Sequence, residues 1–209
     1  MIAYFQRYHH MLLSAFAEHL VLVLTVLLIS TVLAALICYL LLVTGKGTHA
    51  VVQICSVIYS IPSLALFSLM IPVTGLGRKT AIIVLVAYNQ YLLIRNFMTG
   101  LEGVDPKILE AGTGMGMSRM QLITRVQLPL ALPSILAGLR LAIIATTSMG
   151  TIAATINAGG LGEVLLTGLG SRNLMKIGWG MILSIIIALS ADVSLRAAES
   201  RLQKKMGKQ

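Results

Sequence analysis

The residue types best suited to a specific interaction are gathered in one stretch, EAGTGMGMSRMQLITRVQLP, residues 110–129. It holds three glycines, which allow a sharp turn and close backbone approach. It also places apolar residues at helical spacing, Met120, Ile123 and Val126, with arginines on the flanks. An apolar ridge with charged flanks can dock into a groove of another protein. The alternative is an ordinary connection between two spans that lies on the membrane surface.

Helix-capping signals divide this region into two short helices. Asp105 is a good N-cap, and Pro106 suits the first helical turn. Ser118 followed three residues later by Gln121 predicts a capping box at the start of a second helix. The sequence therefore predicts a helix, a turn at the glycines and a second helix.

Residues for catalysis at membrane depth are scarce in this sequence. The four histidines fall in the N-terminal segment or the first loop, and Asp192 is the one carboxylate inside a predicted span. Cys38 and Cys55 lie within apolar runs and are typical of small core residues. The Gly45–Thr48 segment departs from the phosphate-binding loop pattern, which needs an earlier glycine and a hydroxyl residue directly after the lysine. These features disfavour an intramembrane enzyme, a metal site and an ATP site on this chain.

The composition predicts a polytopic membrane protein. Of the 209 residues, 57% are hydrophobic and 11% are charged, and the mean hydropathy is +0.90. Several apolar runs are long enough to cross a bilayer as a helix, which takes roughly 20 residues. We predict an all-α integral membrane fold with about five transmembrane helices: Leu20–Val43, Ala50–Val73, Ala81–Met98, Leu130–Ile156 and Ile177–Leu195. The segment Gly159–Asn173 is left open between a half-helix and a sixth span.

The basic residues predict the orientation of these spans. Lys and Arg are denser in the segments that share a side with the C-terminus, which places that side in the cytoplasm. The N-terminus is then outside, and Leu101–Leu128 is the longest internal cytoplasmic segment. We divide the chain into an N-terminal interfacial segment (1–17), a transmembrane domain (18–201) and a basic cytoplasmic tail (202–209). The net charge of +9 is therefore attributed to contact with membrane lipid and not with nucleic acid.

The 110–129 stretch resembles the signature of permease subunits of ABC importers: E-A-A, three residues, G, nine residues, I-x-L-P. The matching positions are Glu110, Ala111, Gly112, Gly116, Val126, Leu128 and Pro129. Gly112 replaces the second alanine and Val126 replaces the isoleucine. Since glycine weakens a helix by up to about 1 kcal/mol relative to alanine, we expect the first short helix to end early at Gly112. The resemblance implies that this loop, with Arg119 on its flank, is the coupling helix seated in an ATPase subunit.

Further stretches, among them YSIPSLALFSLMIPVTGLG and NAGGLGEVLLTGL, resemble the branch that imports glycine betaine, carnitine and choline. The resemblance implies a type I ABC importer permease in the bacterial cytoplasmic membrane. It also implies a second permease subunit, equal or different, two cytoplasmic ABC ATPases that hold the ATP, and an extracytoplasmic substrate-binding protein. No cofactor is expected on the chain itself. The alternative is a permease for another small solute, such as methionine or an alkyl sulfonate.

Four polar residues within the spans are candidates for the translocation path: Asn89, Gln90, Arg140 and Thr147. Polar groups at this depth also hold helices together, and Arg140 could instead lie near the cytoplasmic surface. Asp192 and Arg196, four residues apart, are expected to pair. Since only 5% of the residues are aromatic, we expect no high-affinity aromatic cage for a quaternary ammonium group on this chain.

Overall fold

The computed structural model describes the backbone of residues 1–205 and the side chains of residues 1–201, so part of the predicted basic tail lies outside the described residues. The described chain is helical throughout, which confirms the all-α fold. The α-helices are α1 (Ile2–Thr44), α2 (Thr48–Ser60), α3 (Ser63–Thr74), α4 (Arg78–Glu102), α5 (Pro106–Gly114), α6 (Arg119–Leu122), α7 (Leu128–Ile152), α8 (Leu161–Gly170) and α9 (Leu174–Lys205). A π-helical segment, Ile123–Gln127, joins α6 to α7, and a 3-10 turn, Ala153–Ile156, follows α7.

Four helical runs are long and apolar enough to cross a membrane: α1, α4, the run from α6 through α7, and α9. A fifth span is present if α2 and α3 count as one, although they are bent by 95°. The break falls at Ile61 and Pro62, where Ile61 is extended at φ −71° and ψ 133°. Proline disfavours helical geometry in the residue before it and lacks an N–H to donate. The predicted second span therefore exists as a broken pair of helices, and the Tyr88 hydroxyl donates to the carbonyl of Ile61.

The N-terminal segment leads into the first span through a kink. The run α1 extends from Ile2 to Thr44, but Tyr8 has the non-helical angles φ −122° and ψ 17°, so the chain bends within the predicted interfacial segment 1–17. The separate interfacial role of that segment stays a prediction. Leu12 and Ala15 are buried against α8 and α9, in a cluster with Leu161 and Leu183. This packing anchors the part of α1 that follows the kink to α8 and α9.

The segment left open between a half-helix and a span is a half-helix. The ten residues of α8 are about half of what a bilayer crossing requires. The helix starts after Gly160, whose φ of +73° suits glycine. The Gly160 N–H donates to the Glu18 carboxylate at 3.2 Å, which places a negative charge at the positive end of the α8 dipole.

The core of the bundle lies around α4, with α1 and α7 against it. Tyr88, Leu93 and Phe97 of α4 are buried. In contrast, α1 and α9 carry outward apolar side chains such as Leu28 and Val193, which are 68% and 63% exposed. A surface this apolar is expected where a protein faces lipid or another subunit. The centre of the bundle is thus closely packed. The loop between α4 and α7 projects from one end of the bundle, which we name the loop end.

Candidate functional site

The loop end is built from α5 and α6, and both predicted helix starts are confirmed. The Asp105 carboxylate accepts from the Lys107 N–H at 2.9 Å, just ahead of Pro106. The Ser118 N–H donates to Gln121 Oε1 at 2.7 Å, and the Gln121 N–H donates to Ser118 Oγ at 3.4 Å. These reciprocal bonds satisfy backbone donors that the first turn of a helix leaves unpaired.

Gly116 and Gly112 of the loop have different structural roles. Gly116 has a φ of +81°, in the left-handed region, and forms the turn. Gly112 is helical and buried, and α5 continues past it to Gly114, so the early end that we expected there is wrong. A Cβ at Gly112 would lie 2.5 Å from Leu122 Cδ2 and 3.3 Å from Met117 Sδ. Glycine is therefore needed here because α6 packs directly onto this point of α5.

The exposed apolar ridge of the loop differs from the predicted one. Ile123 is buried, so it does not share an outward face with Met120. The reason is the π-helical segment, in which residues no longer recur every 3.6 positions. The outward apolar side chains are those of Ile108, Met115 and Met120, which are 45%, 76% and 49% exposed. The motif residues Glu110 and Ala111 are exposed as well.

Two side chains tie the second half of the loop to the spans. The Arg119 guanidinium donates to the Leu42 carbonyl at the C-terminal end of α1, where the helix dipole favours a cation. Gln127 Nε2 donates to the Leu101 carbonyl of α4 at 3.1 Å. A displacement of α6 would therefore act on both α1 and α4.

The remaining motif residues lead from the loop into the span. Val126 is half-buried in the π-helical segment, Leu128 is 43% exposed, and Pro129 stands in the first turn of α7. Proline is tolerated there because an N–H in the first turn has no helical partner.

Three of the four path candidates lie in the interior of the bundle, and two of them join helices to one another. Asn89 Nδ2 donates to Thr146 Oγ1 at 2.9 Å, which connects α4 to α7. Gln90 Nε2 donates to the Ser30 carbonyl at 3.3 Å, which connects α4 to α1. Thr147 is also buried, and its hydroxyl donates to a carbonyl of its own helix. In this conformation all three side chains are buried in the interior of the bundle.

The fourth candidate, Arg140, lies apart from them against α9. Its Nε is 3.4 Å from Asp192 Oδ1, and its Nη1 is 3.5 Å from Glu199 Oε2. Asp192 Oδ2 also accepts Arg196 Nε at 2.9 Å, which confirms the predicted pairing four residues apart. The two ion pairs of Arg140 join α7 to α9.

His19 is a structural residue that the sequence reasoning left in the N-terminal segment. It is fully buried, with Nε2 3.2 Å from the Thr147 carbonyl. A Cβ at Gly150 or Gly160 would lie 3.1 Å from its ring. The signal that could have found it is its spacing, because Leu12, Ala15 and His19 share one helical face. Among the described residues, no three His, Cys, Asp or Glu side chains come together to hold a metal ion.

These features define a class of protein: a polytopic helical membrane protein with a compact two-helix loop tied to its spans. The chain belongs to the family described as "binding-protein-dependent transport system inner membrane component", which matches residues 31–208. It is accordingly a multi-pass protein of the inner membrane.

Two relatives illustrate the branch. The carnitine transport permease OpuCB of Listeria monocytogenes is 35% identical over 98% of this chain and 94% of its own length. The choline transport permease OpuBB of Bacillus subtilis is 34% identical over 88% of this chain and 85% of its own. An inward-facing structure of the MetNI methionine ABC transporter covers 94% of this chain and 98% of its own, with a TM-score of 0.84 and 22% identity. That likeness establishes the type I permease fold and does not favour methionine as the solute.

Proposed function

We propose that this chain is a permease subunit of an ATP-driven importer that carries a quaternary-amine osmoprotectant, of the glycine betaine, carnitine or choline type, into the cell. The main support is the agreement between the solutes after which these relatives are named and the form of the loop. The methionine or alkyl sulfonate alternative is not favoured by these relatives.

The partners in this proposal are two cytoplasmic ATPases, a second permease subunit and an extracytoplasmic binding protein. ATP is bound and hydrolysed on the ATPases. The exposed ridge Ile108, Met115 and Met120 supplies apolar contact area, and Glu110 supplies an adjacent charge. Closure of the ATPase pair moves α5 and α6, and Arg119 and Gln127 pass that motion to α1 and α4.

We further propose that Asn89, Gln90, Thr147 and Arg140 act in the conformational cycle. In the present state Asn89 and Gln90 join α4 to α7 and α1, and Arg140 joins α7 to α9. The Thr147 hydroxyl is buried and bonds within α7. When these helices separate during alternating access, the same atoms become available to water and solute.

The test is co-purification of the tagged chain with its candidate ATPase in mild detergent, followed by uptake of labelled glycine betaine and choline in proteoliposomes that also contain the binding protein. Glu110→Lys places a cation on the ridge, and Gly116→Leu strains the turn, so both should weaken ATPase retention and uptake. Glu163→Lys makes the same charge change in the first turn of α8, outside the loop, and should leave ATPase retention intact.

Normal retention and uptake in both loop variants would contradict the coupling role. Uptake of glycine betaine that is abolished by excess methionine, but not by excess choline, would move the assignment to the alternative solute class.

A further inference from the structure

A cluster of tyrosines stands beside the break between α2 and α3. The rings of Tyr59 on α2 and Tyr91 on α4 have centroids 5.0 Å apart and are tilted by 34°. Tyr88 presents an edge to Tyr59 at 5.7 Å. Tyr59 and Tyr91 are half-buried, whereas Tyr88 is buried and its hydroxyl is committed to the carbonyl of Ile61. Two rings therefore keep part of their surface accessible.

One of these rings already holds a cation. Arg95 lies one turn further along α4, with its Cζ 5.6 Å from the centroid of the Tyr91 ring. Its Nη1 also donates to the Tyr91 hydroxyl. The attraction between a cation and an aromatic face operates within about 6 Å of the ring centroid. The geometry of this ring is thus already compatible with a positive charge above it.

Arg95 has no carboxylate partner within 4 Å among the described residues, unlike Arg140 and Arg196. It is exposed and lies seven residues before Glu102, the last residue of α4. An arginine inside a span faces water or protein and not lipid. Arg95 also borders a cavity of about 340 Å³ between α2 and α4, which extends to His49, Thr99 and Glu102 near the loop end. Arg95 therefore faces open space on this side of the bundle.

We propose that Tyr59, Tyr91 and Arg95 form a transit site for a small zwitterion that carries a quaternary ammonium group and a carboxylate. The ammonium group lies against the accessible surface of the two rings that Arg95 leaves uncovered. The carboxylate pairs with the Arg95 guanidinium, whose fork of donors matches two carboxylate oxygens. The inference rests on the proposed function and deepens it by naming residues that distinguish solutes. Two rings form no closed cage, so the site binds weakly and releases its solute.

The arrangement separates two kinds of quaternary amine. Glycine betaine has both groups and uses the rings and the guanidinium. Choline has the cation without a carboxylate, so it uses the rings alone and gains nothing from Arg95. A substitution of Arg95 should therefore lower the uptake of glycine betaine and not that of choline, whereas a substitution of either tyrosine should lower the uptake of both.

The experiment measures initial uptake of labelled glycine betaine and choline by the complete transporter in proteoliposomes, with binding protein in excess. Arg95→Gln should lower glycine betaine uptake by about tenfold or more, the scale of a charge-assisted hydrogen bond, and leave choline uptake unchanged within twofold or raised. Tyr59→Leu and Tyr91→Leu should each lower uptake of both solutes by about 2- to 30-fold. Arg95→Lys keeps the charge and should retain more glycine betaine uptake than Arg95→Gln.

A matched control exists near the start of α1. Arg7 Cζ also lies 5.6 Å from the Tyr8 ring, so Arg7→Gln and Tyr8→Leu remove an equivalent pair outside the site and should change neither uptake rate. Suppose that the wild-type complex takes up both solutes. If Arg95→Gln then lowers the two uptake rates equally, or lowers neither, the proposed transit site is refuted and the proposed function is not. If Arg95→Gln does not assemble, uptake of both solutes unchanged in the two tyrosine variants overturns it in the same way. If the wild-type complex moves neither solute, the function fails and the site fails with it.

Discussion

The turn between α5 and α6 gives the most direct test of the loop's construction. Gly116 has a φ of +81°, and no heavy atom lies within 4 Å of an added Cβ, so Gly116→Ala introduces backbone strain without a clash. A left-handed conformation costs an L-residue about 1–2 kcal/mol. That cost corresponds to about a 5- to 30-fold shift in the equilibrium between the closed and the open turn.

The reporter is the backbone amide of Met117, which donates to the Gly112 carbonyl at 3.1 Å and closes the turn. Its hydrogen exchange, followed by mass spectrometry on the purified protein in detergent, should accelerate by that factor, because exchange in a loop follows local opening. Uptake by the reconstituted transporter should fall as the closed turn becomes less populated.

Gly114→Ala is the matched control, two residues earlier in the same loop. Gly114 ends α5 without a positive φ, and its added Cβ would also meet nothing within 4 Å. Alanine is the better helix former by up to about 1 kcal/mol, so exchange at Met117 should be unchanged or slower. Equal acceleration in the two variants would refute the strain argument, since it would show that any methyl group in this loop has the same effect.

Three further predictions concern packing and charge. Gly112→Ala should lower the melting temperature, because overpacking against Leu122 costs about 1–3 kcal/mol. Leu122→Ala in the same chain should restore part of the lost melting temperature. An unchanged melting temperature in the Gly112→Ala variant would contradict the contact. Asp192→Asn should destabilise the detergent-solubilised protein by about 1–3 kcal/mol, and a double-mutant cycle with Arg140→Gln should show non-additivity. Glu18→Gln removes only a charge and should cost about 0.3–1 kcal/mol, seen as faster amide exchange confined to the start of α8.

Features set by neighbouring residues were predicted well from the sequence. The Asp105 and Ser118 side chains accept from backbone N–H groups two or three positions away, so residue types in a short window suffice to place these caps. The pairing of Asp192 with Arg196 follows from helical spacing in the same way. The family motif likewise depends only on residue types at fixed intervals.

Features set by contacts between residues that are distant in sequence were not predicted correctly from the sequence. Gly112 was interpreted as a helix end, since its low helix propensity is local information, but Leu122 across the turn explains why glycine stands there. Ile123 was assigned to the exposed ridge because a uniform period was assumed, and the π-helical segment rotated it inward. A helix period can be counted along a chain, but its interruption is decided by what packs on either side.

The sequence by itself determined the class of protein, the approximate spans and the two-helix loop, because hydropathy, capping and turn chemistry act between near neighbours. Only the tertiary structure decided that Glu18 holds the start of the half-helix α8, that His19 contacts a carbonyl of α7 and that Arg140 pairs with α9. It alone also placed Tyr59 beside Tyr91 and Arg95. Those associations join residues far apart in the chain, and their energies exist only once the helices have packed.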